Sequence, residues 1–389
     1  MSVLDPVAAK VVRTELESLR QHALADPGAI DRFVDGRPFP LVEDRTSTFV
    51  YRGEADAVQL RHWVYGLPST PAFTHLDGTD LWYLVLELPS DSRIEYKIEV
   101  IRGGAVESIE DPLNPSRARD PFGANSVLHT TGYERPAWTF ADPEARTGTV
   151  ERHRRPSDAL GRDVDIDVYL PARFRLTGQY PLLVVHDGGD YLEYSAMQTV
   201  LDNLIHRLDM AEVVVAFTNP RERLVEYADF EPHARHIAEE LVPWLETELP
   251  LATNPAARGV MGASFGAVAS FSVARRYPGR FGRVLLQSGS FAFSDIGTSE
   301  RGPLFAPVED MVNGFRDRPE AFSEQVFVSC GRYESLIYEN RSLVPVLQST
   351  GMEVRYVEAR DGHNWENWRD RLRDGLSWLF PGPVWMVYE

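Results

Sequence analysis

A serine set between small residues is the feature of this sequence best suited to chemistry. Ser264 stands at the centre of a Gly-Ala-Ser-Phe-Gly run that covers residues 262–266. A short apolar run precedes it, and a helix-like segment from Ala267 to Arg276 follows. A sharp strand-to-helix turn leaves no room for bulky neighbours, and glycine tolerates its backbone angles. The run therefore predicts a nucleophile elbow, which lifts the serine hydroxyl clear of a sheet and beside a helix N-terminus.

A serine hydroxyl needs a base to remove its proton, and the sequence offers a single candidate. His363 is the only histidine after Ser264, and it closely follows a predicted strand from Val354 to Val357. Active-site groups of open α/β sheets gather beyond the carboxyl ends of the strands. We therefore predict that His363 is the general base of a serine nucleophile.

The acid that would orient this imidazole is less narrowly defined. Glu334 follows a predicted strand from Gln325 to Cys330, at the position that a triad acid would take. Three further glutamates compete for the role, namely Glu339, Glu353 and Glu358. The sequence favours Glu334, and a serine–histidine dyad without a carboxylate is the alternative.

The oxyanion of a tetrahedral intermediate would be held by backbone N–H groups. The first donor should be Phe265, the residue after the nucleophile, and the second should come from a loop after an earlier strand. Gly189 and Asp190 follow such a predicted strand, Leu182 to His186. An ordinary glycine turn is the alternative interpretation of this segment.

Several side chains could bind an anionic or phenol-rich substrate, because guanidinium groups pair with oxyanions and stack on rings. We name as substrate-binding candidates Arg117, Arg119, Arg221, Arg223 and Trp365. The alternative is that the arginines are surface charges and that Trp365 belongs to the core of the last helix.

Composition limits the possible partners. The 389 residues suit two domains, and 43% hydrophobic with 25% charged residues is typical of a globular protein. A formal net charge of −18 argues against nucleic acid and anionic membranes as partners, since both need a basic face. Residues 1–10 lack the pattern of a signal peptide, and no run is long enough to span a membrane, so we expect a cytoplasmic protein.

Cysteine and histidine usage gives no sign of a metal site or a disulfide. Cys330 is the single cysteine and lies in an apolar run, which predicts a small buried residue. His233 and His236 share a predicted helix, but no HExxH motif or cysteine pair accompanies them. We therefore expect neither a metal nor another cofactor.

The first part of the sequence predicts a helix from Val7 to Leu24 and then a small β-sandwich. The sandwich strands are expected at Thr46 to Tyr51, Val58 to Tyr65, Leu81 to Leu88 and Arg93 to Val100. They are separated by turn residues without intervening helices. Asp111 to Ser126 is predicted as a loop, and we expect its part from Arg117 to Ser126 to form one wall of the substrate pocket.

The second part alternates strands and helices, which predicts a mostly parallel sheet with helices on both faces. The segment Val164 to Leu170 alternates apolar residues with acidic residues and a tyrosine and should be an antiparallel edge strand. Besides the strands named above, the predicted elements are a helix at Ser195 to Leu208, a strand at Val213 to Phe217, a helix at Glu231 to Glu248, a strand at Val284 to Gln287 and helices at Arg341 to Gln348 and Trp365 to Leu379. We place the domains at residues 1–145 and 146–389.

These motifs together resemble the esterase D-type hydrolases and, within them, the enterochelin (enterobactin) esterases. The similarity rests on residues 187–188, 240–243, 262–266, 287–290, 331–334 and 362–369. Upstream, residues 78–82, 96–97 and 111–115 are similar to the N-terminal immunoglobulin-like domain of those esterases. The resemblance covers most of the chain from Thr46 onward.

The resemblance implies an α/β-hydrolase fold behind an N-terminal immunoglobulin-like β-sandwich. It implies a serine esterase that opens a catecholate siderophore trilactone, with a ferric siderophore as a possible substrate and iron released inside the cell. The same architecture serves feruloyl and acetyl esterases that act on carbohydrate-linked esters. An acyltransferase that uses the same serine and a non-catalytic binding protein are the remaining alternatives.

Overall fold

A computed structural model of the chain describes residues 18–19, 26, 28–296 and 302–383. These residues form two compact units. The first contains the chain up to Glu134 together with two short segments, Arg332–Glu334 and Arg360–Gly362. The second contains Arg135–Gly331, Ser335–Ala359 and the chain from His363 onward. The predicted helix from Val7 to Leu24 lies outside the described residues, apart from Ser18 and Leu19, which are helical.

From Gly28 onward, the first unit contains two antiparallel sheets and a short helix, α1 (Ala29–Val34). One sheet has the order β1-β2-β5-β4 and comprises β1 (Leu41–Glu43), β2 (Thr46–Arg52), β5 (Leu81–Glu87) and β4 (Thr74–His75). The other has the order β3-β6-β9-β8, with β7 also paired to β6. It comprises β3 (Ala57–His62), β6 (Arg93–Arg102), β7 (Ala105–Ile109), β8 (Arg117–Asp120) and β9 (Gly123–His129).

Alternating apolar residues of both sheets share one core, which confirms the predicted β-sandwich. Phe49 of β2 meets Tyr96 of β6 edge to face, with ring centroids 5.0 Å apart. Val58 and Ile98, from the second sheet, lie in the same cluster. In such an arrangement each strand buries every second side chain between the sheets.

The predicted loop from Asp111 to Ser126 is wrong, because β8 and the first half of β9 form a hairpin there. The proline, asparagine and arginine residues of this segment have little intrinsic strand preference. The hairpin forms nevertheless, because β8 pairs with β9 and β9 pairs in turn with β6, and a neighbouring strand decides strand formation more than composition does.

An eight-stranded mixed sheet forms the centre of the second unit, in the order β10-β11-β13-β12-β14-β15-β16-β17. Its strands are β10 (Thr149–Ser157), β11 (Arg162–Leu170), β12 (Leu182–His186), β13 (Val214–Thr218), β14 (Arg258–Ala263), β15 (Arg283–Gln287), β16 (Gln325–Gly331) and β17 (Glu353–Ala359). The pairs β10–β11 and β11–β13 are antiparallel, and all other neighbours are parallel. The predicted mostly parallel sheet is thus confirmed.

The edge position of β11 is wrong, since β10 lies outside it. Six of the nine residues of β10 are exposed, four of them charged, so the strand lacks the apolar alternation by which strands are recognised. Charged residues and a proline, here Pro156, are the usual protection of an exposed sheet edge.

Helices cover both faces of this sheet. They are α2 (Gly188–Tyr194), α3 (Met197–His206), α4 (Arg223–Glu226), α5 (Glu231–Arg235), α6 (Val242–Glu248), α7 (Phe265–Arg276), α8 (Ala306–Asp317), α9 (Ile337–Ser349) and α10 (Trp365–Leu379). A π-helical segment, His236–Leu241, joins α5 to α6. Leu182 and Val184 face one apolar cluster and Leu183 and Val185 face the other, as the period of a strand requires.

Candidate active site

The backbone at Ser264 is strained in the way that a nucleophile elbow requires. Ser264 has φ 57° and ψ −121° and lies between β14 and α7. The neighbouring glycines are needed for space, because a Cβ atom at Gly262 would lie 2.3 Å from the carbonyl oxygen of Gly266. The turn that the sequence predicts is therefore present, and its small residues have a steric reason.

Gly262→Ala is expected to lower the free energy of unfolding by about 2–4 kcal/mol, since the added methyl group meets backbone atoms that cannot give way. The measurement is urea unfolding followed by circular dichroism. Gly314→Ala is the matched control, because nothing lies within 4 Å of a Cβ atom at this position of α8. It should stabilise the protein by about 0.5–1 kcal/mol, and equal effects of the two changes would contradict the steric argument.

The hydroxyl of Ser264 has a polar neighbour, Ser290, which was not predicted as a site residue. Its Oγ lies 3.2 Å from Oγ of Ser290, a buried residue. The Ser290 N–H donates to the carbonyl oxygen of Ser264, and the Ser264 N–H donates to the carbonyl oxygen of Gln287. The chain after β15 thus supports the elbow. The signal for Ser290 was its place just beyond the carboxyl end of a buried strand.

His363 lies at the same edge of the sheet, four residues after the end of β17, and is exposed. Its ring meets Trp368 edge to face, with centroids 5.1 Å apart and planes perpendicular. The Trp368 Nε1–H group donates to Oγ of Ser288 over 2.9 Å, which anchors the indole. Trp368 thereby provides a rigid wall for one side of the imidazole.

The helix that follows His363 begins as its sequence predicts. The side chain of Asn364 accepts a hydrogen bond from the Asn367 N–H over 2.9 Å and caps α10. Trp365 is only 8% exposed and packs edge to face on Tyr191. This burial favours the core interpretation of Trp365, whose contact with substrate stays a prediction.

Glu334 is buried, at 3% exposure, and lies three residues after β16 ends at Gly331. It belongs to the first unit, whereas Ser264 and His363 belong to the second. Buried carboxylates are almost always paired or hydrogen-bonded, which suits an orienting acid. Its role as the triad acid stays a prediction.

The segment with the predicted second oxyanion donor is the first turn of α2 rather than a loop. Asp187 has φ 53°, and α2 begins at Gly188, where a Cβ atom would lie 2.4 Å from Cβ of Phe217. The Gly189 N–H donates to Oδ1 of Asn219 over 2.9 Å. An oxyanion bound at Gly189 would have to replace Asn219. Asn219 directly follows β13, and this position was the only sequence signal for it.

The predicted substrate-binding arginines fall into two classes. Arg223 is bound to the buried Asp187 through contacts of 2.7–3.0 Å. Arg117 is held by Glu110 and by the carbonyl oxygens of Asp111 and Ser116. These two guanidinium groups already have partners that hold them in place.

Arg119 and Arg221, by contrast, are exposed, and their guanidinium groups form no ion pair with any described residue. Both guanidinium groups are therefore available to pair with an anionic group. Contact of all four arginines with substrate stays a prediction.

Burial raises the pKa of Asp190 to about 6, and the nearby carboxylate of Asp187 adds to the effect while Arg223 opposes it. The folded protein therefore disfavours the ionised form of this half-buried side chain. Because its pKa is higher in the folded than in the unfolded chain, Asp190 reduces stability increasingly as the pH rises from about 4 through about 6.

Asp190→Asn is expected to raise the free energy of unfolding by about 1–2 kcal/mol at pH 8, after allowance for the solvent access of the half-buried group. The gain should shrink to about a few tenths of a kcal/mol at pH 4, where the carboxyl group is neutral in the folded chain and roughly half ionised in the unfolded chain. Urea unfolding at the two pH values measures it. Glu193→Gln, at an exposed position of the same helix, is the control. A gain of equal size at both pH values would refute the assignment.

Three buried histidines lie close to this segment, and two of them are hydrogen-bonded to each other. Nε2 of His186 lies 3.0 Å from Nε2 of His233, and Nδ1 of His186 lies 2.9 Å from Oγ of Ser270. His236 binds Glu240. Burial lowers the pKa of all three histidines, that of His186 to about 3, so neutral imidazoles support the strand end. Within residues 28–296 and 302–383, no three His, Cys, Asp or Glu side chains are grouped to hold a metal ion.

Comparison with known proteins decides the family. The model of a family described as putative esterase matches residues 157–379, more than half of the chain. The chain belongs to this esterase family. The protein is accordingly an esterase, with an enterochelin esterase-like fold. No helix in the described part of the chain is long and apolar enough to cross a membrane.

Relatives of this esterase include an iron(III) enterobactin esterase of Dickeya dadantii, 25% identical over 360 residues, which covers 79% of the chain and 78% of that protein. An uncharacterized Bacillus subtilis protein, YjcH, is 29% identical over 150 residues, or 37% of the chain and 62% of that protein, which is less than two thirds of its length.

A solved structure shares the fold of the esterase over both units. It is the enterobactin esterase of Shigella flexneri, determined in the presence of enterobactin, with a TM-score of 0.70 at 21% identity. The match covers 86% of this chain and 92% of the other. The predicted fold, an α/β-hydrolase behind an N-terminal β-domain, is thereby confirmed.

Proposed function

We propose that this esterase hydrolyses the ester bonds of a catecholate siderophore trilactone of the enterobactin type. The observation that carries the proposal is the similarity to iron(III) enterobactin esterases, which extends over about three quarters of the chain and so is longer than the second unit alone. We also propose that residues 146–389 are the catalytic domain and residues 1–145 its accessory domain. The single buried cysteine suits work in the cytoplasm, where the proposed substrate would release its iron.

The chemistry follows from the elbow. Ser264 would attack the ester carbonyl carbon with its hydroxyl oxygen, and His363 would take the hydroxyl proton. His363 would then return this proton to the departing alcohol oxygen, which leaves an acyl-serine. Water would attack the acyl-serine with the same base, so the carboxylic acid leaves and Ser264 regains its proton.

The negative charge of each tetrahedral intermediate needs fixed donors. In the proposal the Phe265 N–H at the start of α7 is the first of them, because α7 begins immediately after Ser264. Gly189 and Asp190 supply the second from the first turn of α2. The Gly189 N–H already donates to Asn219, and this bond would have to break before Gly189 could bind the oxyanion. We therefore favour the Asp190 N–H as the second donor.

An anionic substrate has to approach a chain with a net charge of −18. Arg119 and Arg221, which are exposed and form no ion pair with the described side chains, could offset this repulsion locally. Arg223 already donates to Asp187, and Arg117 already donates to carbonyl groups near β8. These two arginines could therefore bind a substrate only through their remaining N–H groups.

Glu334→Gln is expected to lower kcat by about 10²–10⁴-fold, because an amide can no longer stabilise the imidazolium. Hydrolysis of a chromogenic short-chain ester measures it. Glu353→Gln, at an exposed position at the start of β17, is the matched control and should stay within about twofold of wild type. A Glu334→Gln enzyme with nearly unchanged kcat would exclude Glu334 as the orienting acid.

The substrate is tested by comparing kcat/KM for a catecholate trilactone, with and without ferric ion, and for a feruloyl sugar ester. Ser264→Ala enzyme serves as the blank. We expect the trilactone to be preferred by about 10²-fold or more, since contacts that strengthen in the transition state raise kcat/KM. A preference for the feruloyl ester would support the carbohydrate esterase. Transfer of the acyl group to an added alcohol in place of water would identify an acyltransferase.

A further inference from the structure

Two short segments that flank the proposed catalytic residues belong to the first unit, although both follow strands of the second. Arg332–Glu334 comes directly after β16 and includes the proposed acid. Arg360–Gly362 comes directly after β17 and ends at the residue before His363. The partners of these segments within the first unit therefore bear on the position of both catalytic groups.

A buried arginine of β6 holds the second of these segments. Arg93 has no exposed surface, and its Nη1 lies 3.2 Å from Oδ1 of Asp361, a carboxylate whose side chain is 6% exposed. Nη2 of Arg93 lies 2.8 Å from Oε1 of Glu95, whose other oxygen accepts from Nδ2 of Asn125 over 2.9 Å. The Arg93 N–H also donates to the carbonyl oxygen of Arg360 over 3.0 Å.

A tyrosine links the two segments to each other. The Tyr333 N–H donates to the carbonyl oxygen of Asp361 over 3.0 Å, and the Tyr333 carbonyl accepts from the Tyr65 N–H over 2.7 Å. Its hydroxyl lies 2.6 Å from Oγ of Ser92, the residue before Arg93, and its ring packs against the sandwich core. Tyr333 immediately precedes Glu334, and Asp361 stands two residues before His363.

We propose that Arg93 is a positioning residue for catalysis, which fixes the backbone of His363 through Asp361 and its distance from Glu334 through Tyr333. The inference rests on the proposed roles of these two residues. Arg93 itself touches no substrate. The hydrogen bond between the Tyr333 and Asp361 backbones contributes to the spacing of base and acid, and the buried ion pair with Asp361 prevents that bond from shifting.

Loss of the Arg93–Asp361 ion pair should lower kcat rather than raise KM, because small errors in the position of a general base slow the chemical step more than they weaken substrate binding. Arg93→Met is expected to lower kcat for a small chromogenic ester by about 10²-fold while KM changes by less than about twofold. Arg102→Met, at the other end of the same strand and 48% exposed, is the matched control and should leave both constants unchanged.

Two milder variants separate positioning from mere stability. Tyr333→Phe removes one hydroxyl and should reduce kcat by about 3–10-fold at unchanged KM, and Arg93→Lys should recover about tenfold of the loss in Arg93→Met. Each is assayed at a temperature where near-ultraviolet circular dichroism shows the native fold. The positioning role can therefore be tested with these two variants even if Arg93→Met fails to fold.

The outcomes are distinct from those of the proposed function. Failure of a fluorophosphonate to label wild-type Ser264 would overturn the proposed function itself. A labelled wild type together with folded Arg93→Lys and Tyr333→Phe enzymes that keep wild-type kcat would overturn the positioning role alone. Loss confined to KM would also overturn it, because a positioning residue for the base does not act on ground-state binding.

Discussion

Ser264→Ala is expected to reduce kcat by about 10⁴-fold or more and to abolish labelling by a fluorophosphonate. The methyl group fits the turn, since it is smaller than the side chain it replaces, so the strained backbone at φ 57° should persist. The loss therefore reports on the chemistry of the hydroxyl rather than on folding. Steady-state hydrolysis of a small ester and mass spectrometry of the labelled protein measure the two effects.

A neighbouring serine provides a demanding control. Ser290 lies within hydrogen-bond distance of Ser264 and is buried beside it, so Ser290→Ala makes the same chemical change 3.2 Å away. We expect this variant to lose less than about tenfold in kcat and to retain labelling, since it removes one neutral hydrogen bond. If Ser290→Ala were as inactive as Ser264→Ala, or if Ser264→Ala kept a tenth of the activity, the assignment of the nucleophile would be wrong.

His363→Ala is expected to lower kcat by a similar factor, about 10⁴-fold or more, because the serine would have no base. The double variant Ser264→Ala with His363→Ala should be no slower than either single variant, since residues that act as a unit are not additive. Initial rates at fixed pH with the three purified proteins measure this. Trp368, against which the imidazole lies, is unchanged in all of them.

The control for the base is an exposed histidine elsewhere in the second unit. His206, at the end of α3, is exposed, and His206→Ala should stay within about twofold of wild type. A multiplicative loss in the double variant would show that Ser264 and His363 act in separate steps. That result would contradict a common catalytic unit, even if each single loss were large.

Features that depend on neighbouring residues in the chain were predictable. The small residues around Ser264 predict a strained turn because the steric conflict, Gly262 against Gly266, spans only four residues. The buried strand from Leu182 to His186 was recognised because an uninterrupted apolar run reports its own burial. His363 was found because no other histidine follows Ser264.

Elements whose own residues show no clear pattern were missed or misassigned. Strand β10 has few apolar residues and exists because β11 pairs with it. The hairpin of β8 and β9 was predicted as a loop since its composition, not its partner, was visible. Helix α8 was not predicted, although Pro307 in its first turn is a favourable start signal.

The sequence by itself determined the elbow and the alternation that produces a parallel sheet, and it predicted the reacting groups, because each of these is a local pattern of residue types. Tertiary structure alone decided which charges already have partners. Arg223 is bound to Asp187, and Arg93 is bound to Asp361, 268 residues further along the chain. Ion pairs of this kind form between residues that only the folded chain brings together, so the spacing of residues in the sequence does not predict them.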